Sequence, residues 1–264
     1  MRYLVLALLI ASFVFLLSSV GQAIKDDESL VLYFPFDEGT GGTAKDESGN
    51  GNDGNIDGAK WTDGKMEGAL SFGGGDSVIV DDDDSLDVTS ITVEAWIKSA
   101  EALVAGSMTD PGIVHKWNPG GYLLYMENMW GTSSAYLPHG NVYLRSGEHT
   151  EWKADVWYHL AVTYDENTGI GKSYVNGVLK SDVTEDGATR EPMAVEGPLA
   201  VNDRELLVGK YNNSFSGIID EVAIYNRVLT EEEINQDMLS VMYAVAPAGK
   251  LATTWGFLKK GGLR

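Results

Sequence analysis

Trp157-Tyr-His-Leu-Ala-Val-Thr-Tyr-Asp-Glu-Asn-Thr-Gly-Ile-Gly-Lys-Ser-Tyr-Val-Asn-Gly177 is the stretch whose reading decides the fold. It reads as a strand, a turn at Asp165–Gly169, a second strand and a closing Asn-Gly turn, that is, an antiparallel hairpin. A second block, Phe215-Ser-Gly-Ile-Ile-Asp-Glu-Val-Ala-Ile-Tyr-Asn-Arg-Val-Leu-Thr-Glu-Glu-Glu-Ile234, reads as a long strand running into a helix. Thr230 with Glu233 three residues on is a capping-box pattern, so the helix starts there.

Working outward, Ile91–Lys98 alternates cleanly. Ile91, Val93, Ala95 and Ile97 share one face and Thr92, Glu94, Trp96 and Lys98 the other, the period of a strand buried on one side. Further strands are expected at Leu30–Phe36, Ala69–Phe72, Val78–Val80, Gly112–Trp117, Gly121–Glu127, Asn141–Arg145, Leu206–Gly209 and Ile218–Tyr225. Asp37–Lys65 reads as a long loop region rich in Gly, Asn and Asp. Ten to twelve short strands with frequent turn signals and one late helix predict an all-β, two-sheet antiparallel sandwich with one short C-terminal helix.

The chain starts with Arg2, an apolar run Leu4–Leu17 and small residues at Gly21–Ala23, the pattern of a signal peptide over residues 1–23. That run is short of the roughly 20 residues a membrane span needs. The expectation is an exported protein, secreted or in the cell envelope, with no membrane span once the leader is cleaved. Residues 24–240 then form one domain and 241–264 a tail with a basic, aromatic end. The chain has no cysteine, so a core, and a metal where one binds, must supply the stability. Its net charge is −20, which disfavours nucleic acid and anionic lipid as partners and favours divalent cations.

The segments Ile91-Thr-Val-Glu-Ala-Trp-Ile97, Trp157–Asp165, Tyr174-Val-Asn-Gly177 and Gly217–Leu229 resemble the LamG-like jellyroll domain of the concanavalin A-like lectin/glucanase superfamily. The resemblance covers about residues 28–240. It implies a jellyroll in which the first and last strands lie side by side, usually a binding module, with a structural calcium near their loops. Carried over by position, Asp37 and Asp220 are the expected side-chain ligands. Carbonyls near Gly39 and groups of the Asp46–Asn52 loop, Asp46 and Asn50 among them, would complete the shell. Calcium takes about 6–8 oxygen ligands, and glycine-rich loops can turn carbonyls inward. The run Asp81–Asp84 reads instead as a solvated loop, because consecutive strand residues point to opposite faces.

Glycan recognition needs aromatic faces with planar polar groups beside them. Three turns offer them: Trp117 with Tyr122, then Trp130, Tyr136 and His139, then Tyr211 with Asn212. Catalytic patterns are missing from the sequence. The strand motif Glu-x-Asp-x-x-Glu of related glucanases does not occur, nor does His-Glu-x-x-His, nor a Gly-x-Ser-x-Gly elbow. The expected function is a non-catalytic binding module for glycans. The alternatives are a module for cell-surface or matrix proteins and, third, a glycoside hydrolase or lyase.

Overall fold

The computed structural model describes residues 27–102, 111–117, 121–127, 132–137, 142–145, 152–181, 184–186, 197–211 and 213–243. The leader expected over 1–23 and the tail from 244 lie outside them. Among the described residues, no helix is long and apolar enough to cross a membrane.

Two antiparallel sheets face each other. The first contains β1 (Leu30–Phe34), β4 (Lys60–Asp63), β5 (Gly68–Phe72), β7 (Ile91–Ser99), β12 (Trp157–Asp165), β13 (Ile170–Val175), β14 (Val178–Ser181) and β17 (Gly217–Tyr225). Its order is β14-β13-β12-β7-β17-β5-β4, and β1 also pairs with β17. The second contains β2 (Thr43–Ala44), β3 (Gly54–Asp57), β6 (Ser77–Val80), β8 (Gly112–Trp117), β9 (Gly121–Glu127), β10 (Thr132–Leu137), β11 (Val142–Arg145), β15 (Thr184–Asp186) and β16 (Leu206–Val208). Its order is β15-β11-β10-β9-β8-β16-β6-β3-β2. Among the described residues one α-helix, α1 (Glu231–Tyr243), follows β17, and a short 3-10 turn spans Asp84–Leu86.

The strands assigned from alternation are present, and the faces fall as expected. Ile91, Val93, Ala95 and Ile97 enter the core between the sheets with Leu32, Phe34, Leu70, Val162, Ile219 and Ile224. Trp96, on the opposite face of β7, joins a second apolar cluster outside the first sheet, with Leu30, Tyr33, Ala161, Tyr174, Tyr225, Leu229 and Ile234. Helix α1 covers that cluster. The expected loop 37–65 instead carries the short strands β2, β3 and β4. Their two- to four-residue sequences are too short to show a strand period, so pairing of β2 with β3, β3 with β6 and β4 with β5 makes them strands. β1 and β17 are neighbours, Leu30 opposite Tyr225 and Phe34 opposite Val222.

Candidate functional site

β17 changes partner halfway along its length. Gly217–Ile219 pair with β5, while Val222–Tyr225 pair with β1, and the register with β7 slips between Asp220 and Ala223. The slip is a β-bulge, and Glu221 takes it up with φ +52. Ile219 and Val222 both point into the core, so Asp220 and Glu221, adjacent in sequence, emerge on the same outer face. Strand alternation alone would separate them. Glu221 accepts a hydrogen bond of 2.5 Å from the Tyr33 hydroxyl.

Asp220 is fully buried. Its Oδ2 accepts from the Lys65 and Met66 amides at 2.7 and 3.2 Å, and among the described residues no well-aligned donor reaches its Oδ1. Burial pushes its pKa up to about 7, and the nearby Asp37 charge adds to the rise. Asp37 follows Phe36, which sits in the left-handed region at φ +54, and its Oδ1 accepts from the Gly68 amide at 2.8 Å. Both carboxylates therefore grip the one turn between β4 and β5. That approach requires glycine. A Cβ on Gly64 would lie 2.1 Å from the Gly68 carbonyl oxygen and 2.6 Å from Asp220 Oδ2, and one on Gly68 would lie 2.4 Å from the Phe36 carbonyl oxygen. A buried carboxylate oxygen without a well-aligned donor, next to a second carboxylate and a glycine turn, fits a hard cation such as calcium. Among the described residues, no three or more His, Cys, Asp or Glu side chains are grouped to hold an ion, so backbone oxygens would have to complete a shell.

The other expected ligands are Gly39, two positions after Asp37, and Asp46 and Asn50 of the following loop. Gly39 is in an open turn at φ +66. Asp46 and Asn50 belong to a clamp on the free edge of β1. Asp46 accepts from the amides of Tyr33 (3.0 Å), Ser48 (2.9 Å) and Asn52 (2.9 Å), and from the Ser48 hydroxyl (2.8 Å). Asn50 Nδ2 donates to the Leu30 carbonyl at 3.0 Å, and Asn52 Nδ2 to that of Val31 at 2.9 Å. The loop thus supplies the partners that a missing neighbour strand would have provided. Both Asp46 oxygens are thus taken up by hydrogen-bond donors of β1 and of this loop.

A cleft of about 330 Å³ opens where β7 ends and β17 begins, lined by Ser99, Glu101, Asn213, Ser214, Phe215 and Ser216 among others. Its walls are tied together. The Ala100 amide donates to Ser216 at 2.9 Å, and Ser99 Oγ donates to the Glu101 carbonyl at 2.8 Å. Phe215 is buried and anchors the loop, its amide donating to Gly209 at 2.8 Å. Tyr211, from the same loop, is half-buried. Its ring centroid is 4.9 Å from that of His115 and 6.1 Å from that of Tyr125.

Of the aromatic residues expected to bind ligand, Tyr211 belongs to the loop that supplies Asn213 to this cleft, while its ring faces His115 and Tyr125. Tyr122 does not reach the surface; it is 2% exposed, packs in the core and donates its hydroxyl to the Leu86 carbonyl at 3.2 Å. It is a packing residue, since the hydroxyl finds a buried partner that its sequence neighbours do not reveal. Trp117 ends β8 and Tyr136 lies in β10. Trp130, His139 and Asn212 lie outside the described residues. The cleft residues Ser99, Glu101, Ser214 and Ser216 escaped the sequence reading. The turn Tyr211–Phe215 was the only local signal, and Ser99 and Glu101 reach the cleft from a strand more than a hundred positions earlier.

Among curated proteins, no sequence matches the chain. Solved structures do resemble it. Domain 4 of AbnA, a GH43 extracellular arabinanase from Geobacillus stearothermophilus solved with arabinotriose, is 20% identical with a TM-score of 0.57, over 80% of this chain and 98% of that one. The binding domain of Paraclostridial Mosquitocidal Protein 1 is 18% identical with a TM-score of 0.60, over 82% of this chain and 53% of that one. A botulinum neurotoxin type C structure, from work on cell entry through two ganglioside molecules, is 15% identical with a TM-score of 0.54, over 83% and 52%. The chain spans about half the length of both toxin chains, and at these identities the likeness is one of fold. A profile of the concanavalin A-like lectin/glucanases superfamily matches residues 72–235. The hairpin, the bulged last strand and the paired chain ends together with that match place this chain in the concanavalin A-like lectin/glucanases superfamily.

Proposed function

We propose that this chain is an exported, non-catalytic glycan-binding module, steadied by calcium held at Asp37 and Asp220. The observation that carries the reading is the cleft between Ser99 and Ser216. It is lined by hydroxyls, an amide and one carboxylate, Glu101, and Tyr211, whose ring packs on His115, lies two positions before the lining residue Asn213. Hydroxyl and amide groups orient sugar hydroxyls, and an aromatic face stacks on the sugar ring. Glycoside hydrolysis uses a pair of carboxyl groups, and among the described residues the cleft presents one. The arabinotriose held by the similar arabinanase domain and the gangliosides used by the similar toxin support a saccharide ligand.

The test is calorimetric titration with oligosaccharides chosen from a glycan array. Tyr211→Ala and Asn213→Ala should each weaken binding about tenfold or more, the scale of one lost stacking or hydrogen-bonding contact. Binding that survives both changes, or an empty array beside capture of a matrix protein, overturns the glycan reading.

A further inference from the structure

Two carboxyl groups meet beneath α1, and neither the cleft nor the Asp37–Asp220 pair uses them. Glu94 projects from β7, the strand between β12 and β17, and is buried. Register sets Ala161 on one side of it and Ala223 on the other. These short side chains leave the carboxyl to be met from above, and the helix meets it with Asp237. Asp237 also accepts from the Tyr225 hydroxyl at 2.8 Å. Among the described residues, Glu94 Oε2 has no hydrogen-bond partner.

The charged groups packed around the pair do not neutralise it. β17 brings Glu221, whose charge acts against that of Glu94. Glu233 of α1 and Asp27 act against Asp237, and Arg227 is held by those two at 2.9 and 2.6 Å. β12 brings His159, its Nε2 3.7 Å from Glu94, and burial keeps that ring neutral. The turn between β4 and β5 brings Lys65, which stands over the Trp96 ring, 4.3 Å from its centroid. Two ionised carboxyls sharing a desolvated site repel strongly, so one of them keeps a proton.

The two carboxyls belong to elements held unequally. β7 is hydrogen-bonded to a strand on each side. α1 is seated on the sheet by side chains: Ile234 and Met238 in the apolar cluster, Asn235 Nδ2 on the Gly177 carbonyl at 3.1 Å, and Asp237 itself. An element held this way opens locally at a lower free energy than a central strand. Once the shared proton leaves, moving α1 hydrates both carboxyls without breaking the sheet.

We propose that the Glu94–Asp237 pair is a proton-dependent latch: it holds α1 on the outer face of the first sheet while the shared proton is present, and raising the pH lets α1 lift from a sandwich that stays folded. The proposal is independent of the glycan reading.

The experiment is hydrogen exchange on the full chain between about pH 5 and about pH 8, read as protection factors so that intrinsic exchange rates cancel. Protection of α1 amides should fall at least about tenfold across that range, by no more than about tenfold per pH unit for one proton, and stay below that of β7 throughout. Glu94→Gln cannot ionise and should leave α1 protection nearly level. Asp237→Asn removes one of the two charges and should shrink the fall. Thr230→Ala, which loosens the helix only through its cap, should lower α1 protection by a similar factor at every pH. Three results overturn the latch: α1 unprotected already at about pH 5, α1 and β7 exchanging together, or a fall undiminished in Glu94→Gln or, should that chain not fold, in Asp237→Asn.

Discussion

Glu221 is where the chain spends backbone strain, taking φ +52 inside a strand so that Asp220 can share its face. Asp220 is then a buried carboxylate with one oxygen lacking a well-aligned donor, a costly state unless a cation or proton supplies the partner. Calcium at a hundredfold excess over its dissociation constant should therefore add about 2.7 kcal/mol to stability, read as a rise in Tm. Asp220→Ala should abolish that rise, and a melting curve unmoved by chelator would remove the calcium proposal. Gly64→Ala should cost about 1–3 kcal/mol in urea denaturation, because the new methyl meets a backbone carbonyl rather than a movable side chain. At this scale the sequence, through its resemblance, pointed to Asp37 and Asp220 as a pair. The bulge was illegible, because Gly217–Tyr225 reads as one long strand and the slip depends on which neighbour each half meets.

The helix and the β1 clamp are two elements held by side chains, one local and one not. At the start of α1 the Thr230 amide donates to Glu233 Oε2 at 2.7 Å, and the Glu233 amide donates back to Thr230 Oγ1 at 3.2 Å. Both partners lie within four positions, so the pattern could be read from the sequence. Thr230→Ala should cost about 1 kcal/mol by chemical denaturation. The clamp shows the opposite case. Asn52 Nδ2 reaches Val31 across more than twenty positions. Asn52→Ala should cost about 1 kcal/mol, removing the shortest of three side-chain bonds to the Val31 carbonyl while those from Ser48 Oγ and Asn50 Nδ2, at 3.2 and 3.3 Å, remain. It should also raise aggregation measured by light scattering, because the edge of β1 would open. Asp46-Glu-Ser-Gly-Asn-Gly-Asn52 reads from sequence as a set of cation oxygens, since nothing local shows that β1 amides will consume them.

Across the whole molecule, the second apolar cluster joins β7, β12, β17 and α1, and Glu94 lies in it at 3% exposure. Burial holds its carboxyl well above the usual range and Asp237 adds to the rise, so Glu94 keeps its proton and donates it to Asp237, which also accepts from the Tyr225 hydroxyl at 2.8 Å. His159 Nε2 lies 3.7 Å from Glu94, and burial pushes its pKa down to about 3, so it is neutral and offers Glu94 no counter-charge. The folded state thus retains a proton that the unfolded chain releases near 4.5. Stability should therefore fall as pH rises from about 4.5 toward the folded value and level off above it. Glu94→Gln keeps a donor to Asp237 and should reduce that slope above about pH 4.5, read from urea midpoints, leaving the share due to Asp220, whose pKa is pushed up to about 7. An unchanged slope would place the titration elsewhere.

By itself the sequence determined the two-sheet sandwich, the strands with clean alternation, the 157–177 hairpin and the capped helix. Each rests on residues a few positions apart, where periodicity and hydrogen-bond reach are local. Tertiary structure alone decided the bulge that aims Asp220 and Glu221 together, the use of the Asp46 loop as an edge clamp, the burial of Tyr122 and the cleft between Ser99 and Ser216. Those depend on which strands become neighbours, and the pairing is selected by burial of the whole core rather than by any segment's own pattern.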